Sequence, residues 1–331
     1  MWGRQSVGLT LPAKKSRPSQ PEILRDPDET GRQIVGPTFT WHSRAARLIR
    51  EPMKLFGILL LLLACARADD GRLRVSSFST VLTEIAREVG GDKVEVTGHV
   101  KPGVDPHEFS PRPADLEAVA SSDIILVSSR RIEGYVEKLR QAAGGKSVLL
   151  EVGAQLPGAA NDPHWWHNIG NITRATRIVR DELIRLRPAS REYFSANAST
   201  YTERLEKLEK WVKAKVAELP RDRRKLVTNH DSFGGFAKEF GFEIYPIAGL
   251  TKNDQPGGRK VAEIIGVIRG QGVKAIFSED TENPKVIGVI TRETGVKLGG
   301  SLLSDGLGAK PNDTIEAMFR HNVTTIVEAL K

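Results

Sequence analysis

From residue 73 onward, short apolar strands alternate with helices, and the alternation runs twice, separated by a stretch that is helical almost throughout. In the first run, strands are expected at 73–77, 94–99, 123–128 and 147–151, with helices at 80–89, 114–121 and 132–143. The second run places strands at 225–229, 243–247, 275–278 and 297–302, with helices at 233–240, 258–270, 284–294 and 313–330. Short apolar strands divided by helices indicate parallel sheets covered on both faces. Between the runs, residues 169–219 break their helical pattern only at Pro188. Beyond that proline, glycine is absent, β-branched residues are few, and Glu-Lys and Glu-Arg spacings suit i,i+4 pairing. One helix over 190–219 would be about 45 Å long at 1.5 Å per residue, more than a single α/β lobe needs. The expected fold is therefore α/β, with two Rossmann-like (β/α) lobes joined by a single long helix. We divide the chain into an N-terminal lobe at 69–188, a linking helix at 189–219 and a C-terminal lobe at 220–331. Ligands of such sheets bind in clefts beyond the carboxyl ends of the strands, here between the lobes.

The N-terminal region reads differently. Residues 1–52 are rich in Arg, Pro, Ser and Thr and lead into Met53-Lys54 and an apolar run over 55–64. A positive start, a short apolar run and small residues at Ala66 and Ala68 make 53–68 a signal peptide, and the run is too short to span a bilayer. Residues 1–52 are then either a mis-assigned gene start or a disordered leader. Cys65, the only cysteine, follows Leu62-Leu63-Ala64 as in a bacterial lipobox. It becomes a lipid-bearing first residue, or cleavage after Ala68 releases a protein without cysteine. Either route gives an extracytoplasmic or periplasmic protein whose fold is held by its core alone, and only the first attaches it to a membrane, through a lipid on Cys65. The net charge of +8 belongs mainly to this leader, since 38 basic and 36 acidic residues remain beyond residue 68. No nucleic-acid partner is expected on charge grounds.

Seven histidines occur in the chain, and two of them close the same tripeptide, Asp105-Pro106-His107 and Asp162-Pro163-His164. Proline fixes its own φ and disfavours helix before it, so each histidine follows a stiff turn. Such a turn either presents an imidazole accurately to an ion or leaves it solvated beside a capping aspartate. Two further polar residues follow expected strands of the second lobe, His230 after 225–229 and Asp305 after 297–302. Three imidazoles and one carboxylate make a full ligand set for a divalent transition metal.

The runs Gly103-Val104-Asp105-Pro106-His107-Glu108-Phe109-Ser110-Pro111-Arg112-Pro113-Ala114-Asp115, Asp162-Pro163-His164-Trp165-Trp166, Thr228-Asn229-His230-Asp231-Ser232-Phe233, Ile276-Phe277-Ser278-Glu279 and Leu303-Ser304-Asp305-Gly306-Leu307-Gly308 occur in this order. Together they resemble the zinc and manganese solute-binding proteins of bacterial ABC importers, often called cluster A-I receptors. The resemblance extends from about residue 74 to the C-terminus. It implies two (β/α) lobes on a rigid helix, a metal held by His107, His164, His230 and Asp305, and delivery to an ABC permease by a monomer. Two features depart from common members: the histidine-rich acidic loop of many zinc receptors is absent, and His230 stands where many manganese receptors have glutamate. Three nitrogen donors favour Zn2+, with Mn2+ as the alternative.

The other polar residues have plainer readings. His167 lies one turn past His164 and fits a supporting role beside the ligands. Glu279 and Asp280 follow a strand end of the second lobe, where a hydrogen bond to a ligand imidazole suits them better than direct coordination. Trp165 and Trp166 suggest a dry packed shell. His42, His99 and His321 have no supporting context. A metal-dependent hydrolase is the rival function. It would need an open metal position and a carboxylate base, for which Glu279 is the candidate, but there is no His-Glu-x-x-His element. A receptor for an organic metal chelate is a third reading and would require a roomy cleft.

Overall fold

The computed structural model describes residues 71–331 apart from residue 160 and residues 251–255 and 281–284. The expected leader (1–52), the expected signal peptide (53–68) and Cys65 lie outside the described residues. The first lobe comprises β1 (Leu73–Ser77), α1 (Thr80–Gly90), β2 (Val94–Gly98), α2 (Pro113–Ala120), β3 (Ile124–Val127), α3 (Val136–Ala142) and β4 (Val148–Glu151). Two helices follow, α4 (Ile169–Leu186) and α5 (Arg191–Val216). The second lobe comprises β5 (Lys225–Thr228), α6 (Gly234–Phe240), β6 (Glu243–Pro246), α7 (Gly258–Gln271), β7 (Ala275–Glu279), α8 (Lys285–Thr294), β8 (Lys297–Leu302) and α9 (Ile315–Leu330).

Each lobe holds a four-stranded parallel sheet, ordered β2-β1-β3-β4 in the first and β6-β5-β7-β8 in the second. The two sheets thus repeat one topology. Strand β3 shows how the sequence produces a sheet covered on both sides, for its four residues are all buried. Ile124 and Leu126 enter the central core, whereas Ile125 and Val127 pack outward against Val119 of α2 and Val136 of α3. Alternation of period two sends neighbouring side chains to opposite faces. On the second lobe, Val227 and Ile276 face Ile264, Ile268, Ile287 and Ile290 of α7 and α8 in the same way.

Helix ends are set by local chemistry. Helix α1 starts where the Ser79 side chain accepts the Leu82 N–H, 3.4 Å, and ends at Gly91 with φ 53°. Thr314 caps α9 through the Ala317 N–H, 3.1 Å. The expected helix over 132–143 begins only at Val136. Glu133 turns its carboxylate back onto the Ser128 and Ser129 N–H groups, 3.2 and 2.8 Å, and makes a turn in place of a first helical turn.

The long helix α5 has 26 residues and spans about 39 Å. Its buried side chains, Phe194, Ala198, Tyr201, Leu205, Leu208, Val212 and Val216, recur every three or four residues and form one stripe. That stripe belongs to a single core shared by β1, β3, β5 and β7 with α1, α4, α5 and α9. The lobes are therefore joined by a continuous buried layer as well as by the strut.

One carboxylate fastens three helices of this layer. Glu84 on α1 accepts the Tyr201 hydroxyl of α5 at 2.9 Å and the Ile315 N–H at the start of α9 at 2.6 Å. Desolvation raises its carboxyl to about 7 in spite of these donors. The native state thus binds this proton more tightly than the unfolded chain, and the contribution of Glu84 to stability falls as pH rises from about 4.5 to 7. Thermal melts of the metal-free protein should show Glu84→Gln gaining stability relative to the native chain between pH 5 and pH 8. A stability difference that stays constant over this range would contradict that account.

Candidate metal centre

Parallel strands bring their carboxyl ends to one edge of each sheet, and all four expected donors sit in segments that leave those edges. His107 lies in the segment between β2 and α2, His164 between β4 and α4, His230 two residues past β5, and Asp305 three residues past β8. The structure gathers the four. Each offers one donor atom, and these atoms all lie within 4.8 Å of one another. His107 Nε2 is 3.4 Å from His164 Nε2 and 3.6 Å from Asp305 Oδ1. Asp305 Oδ1 is also 3.4 Å from His230 Nε2 and 4.0 Å from His164 Nε2. Donors placed 2.0–2.1 Å from a tetrahedral ion would be separated by about 3.3–3.4 Å. The edges just given run from that figure up to 4.0 Å and the others stay within 4.8 Å, so the cluster has room for one ion and no organic ligand between its donors.

Burial and charge fit the same chemistry. His164 and His230 are 0% and 1% exposed, and among the described residues the buried His230 Nε2 has no well-aligned hydrogen-bond partner. Burial alone would raise the Asp305 carboxyl, yet His107 and His230 beside it hold it well below the usual carboxylate range. Burial likewise disfavours charge on His230, but the Glu279 and Asp305 carboxylates outweigh it and hold the ring well above the ordinary histidine value.

Two of the imidazoles are oriented by carboxylates behind them. Glu279, the last residue of β7, accepts from His230 Nδ1 and from the His230 N–H, the latter at 3.2 Å. Asp162 Oδ1 accepts from His164 Nδ1 and from the His164 N–H, both at 2.9 Å. Fixing one ring nitrogen as donor aims the other at the centre, where an arriving ion takes the place of any proton that nitrogen carries. Glu279 thus accepts a hydrogen bond from the His230 imidazole. Asp162 was visible only as the first residue of the repeated tripeptide. In the first copy Asp105 accepts the His107 N–H, 2.8 Å, which is the same turn.

His167 and Asp280 stand outside the four-donor cluster. Burial takes the His167 ring down to about 4, and its Nε2–H donates to the Ser304 carbonyl at 2.7 Å. Trp166 Nε1 donates to the same carbonyl at 2.9 Å. The first lobe thereby grips the residue preceding Asp305, while Asn322 of α9 pairs with both the N–H and the carbonyl of Leu303, each at 2.9 Å. Asp280 has an exposed surface, yet surrounding protein and then the Asp305 charge raise its carboxyl to about 6. Of the two tryptophans, Trp166 has this specific anchoring role and Trp165 bonds Ser128 Oγ at 3.0 Å. A cavity of about 730 Å3 adjoins the His164 side of the cluster, with Asp162, Asp231 and Arg174 among its walls.

Fold and cluster together define a two-lobed metal-binding protein built on paired parallel sheets. Comparison with known proteins narrows the class: the family described as ZnuA, zinc-uptake complex component A, periplasmic, matches residues 75–329, and the chain belongs to that family. The manganese-binding lipoprotein MntA of Bacillus subtilis is 32% identical over 284 residues, covering 81% of this chain and 93% of that protein. The zinc-binding protein TroA of Treponema pallidum is 28% identical over 278 residues, covering 80% and 90%. The solved structure of periplasmic TroA from Treponema pallidum aligns with a TM-score of 0.74 at 26% identity, covering 78% of this chain and 99% of that one. Membership makes the chain a binding component of a transporter and not an enzyme, which removes the hydrolase reading.

Removing an orienting carboxylate should weaken metal binding without removing a donor. Glu279→Gln and Asp162→Asn are each expected to lower zinc affinity by about 10- to 100-fold. Competition titration against a chromophoric chelator measures this, and native affinity in both variants would exclude the orienting role.

Proposed function

We propose that this protein captures a single divalent transition-metal ion outside the cytoplasm, with zinc as the preferred cargo, and delivers it to an ABC permease. His107, His164, His230 and Asp305 are its direct ligands in this reading. The observation that carries it is the convergence of four donor atoms, all within 4.8 Å of one another, in a buried site where one nitrogen, His230 Nε2, has no well-aligned hydrogen-bond partner among the described residues. Three imidazoles with one carboxylate suit zinc better than the harder manganese ion, although most such sites bind zinc tightly in vitro. Relatives carry manganese, zinc and iron in their names, so donor chemistry is the argument for zinc. The signal-like run after Met53 and the lipobox-like Cys65 support a location in the periplasm or on the outer face of a membrane, and a monomer suffices because one chain supplies the whole donor set.

Capture on this scaffold involves modest movement. A core shared by both lobes and a rigid helix resist wide hinge opening, so the ion enters by local rearrangement of the ligand loops and a small tilt.

Metal analysis of protein purified without chelators or immobilised metal should find one zinc per chain. His164→Ala and Asp305→Ala should each lower zinc affinity by more than about 100-fold, beyond the range for outer carboxylates. Native affinity and stoichiometry in either variant would remove that residue from the site. Binding also competes with protons, since each imidazole must present an unprotonated nitrogen. Affinity should therefore fall steadily from pH 8 to pH 5.5, and calorimetric titrations giving equal affinities at the two ends would contradict imidazole ligation.

A further inference from the structure

His107 is carried by a segment with neither helix nor strand, running from the end of β2 at Gly98 to the start of α2 at Pro113. Its tip is fixed by a turn, in which Asp105 accepts the His107 N–H. Its base is fixed by a buried carboxylate at the end of the first of the five motif runs. Asp115, the third residue of α2, accepts from His99 Nδ1 at 2.8 Å through Oδ1 and from the Arg112 N–H at 2.7 Å through Oδ2. His99 and Arg112 are the two ends of the segment, so one carboxylate draws both ends together. His99 is anchored to the sheet in turn: its N–H donates to the Ser77 carbonyl at 2.9 Å, Nε2 lies 3.0 Å from Ser76 Oγ, and its ring stacks on Phe78 with centroids 4.3 Å apart.

The order of groups is that of a serine hydrolase triad, but Ser76 is fully buried, with His99 and Asp115 3% and 5% exposed, so no substrate reaches it. Burial pulls the His99 ring below its ordinary value. Burial would raise Asp115, yet His99 and the Arg112 N–H hold its carboxyl low. A neutral ring then donates through Nδ1 to an ionised carboxylate and accepts the Ser76 hydroxyl. These polar contacts fall on β1 and on the ends of the segment that carries His107, and none falls on the segments that carry the other three donors.

We propose that the buried His99–Asp115 pair is the positioning device for His107, closing the base of its segment so that the imidazole reaches the metal at the correct depth. The proposal rests on the metal-receptor reading given above. It matters because metal–ligand distances tolerate only about 0.2 Å, a tolerance that an unclamped irregular segment does not meet.

The test is a double-mutant cycle read as zinc affinity. His99→Phe keeps the stack on Phe78 and deletes both ring hydrogen bonds; it is expected to lower zinc affinity about tenfold in the otherwise native protein. In a His107→Ala background the same change should matter less than about twofold, whereas in a His230→Ala background the tenfold loss should persist. The visible spectrum of the cobalt-loaded His99→Phe protein should shift towards that of His107→Ala. His99→Gln, whose amide still donates to Asp115, should recover most of the affinity, and Asp115→Asn serves in the cycle if His99→Phe does not fold. Equal losses in the native and His107→Ala backgrounds, or no loss in the native one, overturn the positioning role. If His107→Ala itself binds zinc as the native protein does, the ligand assignment fails instead, and the two failures are distinguished by that single control.

Discussion

Asp305 is a carboxylate buried among three imidazoles, and the rest of the architecture can be understood as what is needed to keep it there. An ionised group removed from water is costly unless opposite charge and hydrogen bonds compensate. Here the compensation comes from both lobes at once: His107 and His164 from the first, His230 from the second. The backbone beside it is held across the same boundary by Trp166 and His167, which share the Ser304 carbonyl, and by Thr80 Oγ1, which accepts the Leu307 N–H at 2.9 Å. The lobes cannot separate widely without leaving this carboxylate uncompensated, and a single core runs continuously beneath it.

The repeated sheet topology places the donors unevenly. His164 and Asp305 follow β4 and β8, the fourth strands of their sheets, and so occupy equivalent places in the two lobes. His107 follows β2 and His230 follows β5, which are second and first strands respectively. The two Asp-Pro-His tripeptides accordingly do not mark the duplication. Both belong to the first lobe, and their shared property is the turn in which an aspartate accepts the N–H of the histidine two residues on.

The strands and most helices were legible because their signals are local: a continuous apolar run in β3, an amphipathic pattern in α1, and the glycine-free, charge-patterned sequence of α5. The start of α3 was not legible, since nothing in its composition shows that Glu133 bends back onto Ser128 and Ser129. Among the polar residues, the four donors stood out by residue type and by their places after strand ends, and Glu279 by its place at the end of β7. His99 had no such signal. Its partners, Ser76 and Asp115, are distant in sequence and belong to no spacing rule, so only the fold brings them together. Trp166 was recognisable as packing, but its bond to Ser304 depends on how the lobes meet.

The donors at 107, 164, 230 and 305 are spread over most of the folded chain. No short fragment holds the set, and neither lobe contains more than half of it. Contacts between such distant positions form late, after the entropy of closing long loops has been overcome. An incompletely folded chain therefore presents scattered histidines in place of a site. Metal retention by this protein is in that sense a certificate of finished tertiary structure: only a chain whose two halves have docked can hold its cargo.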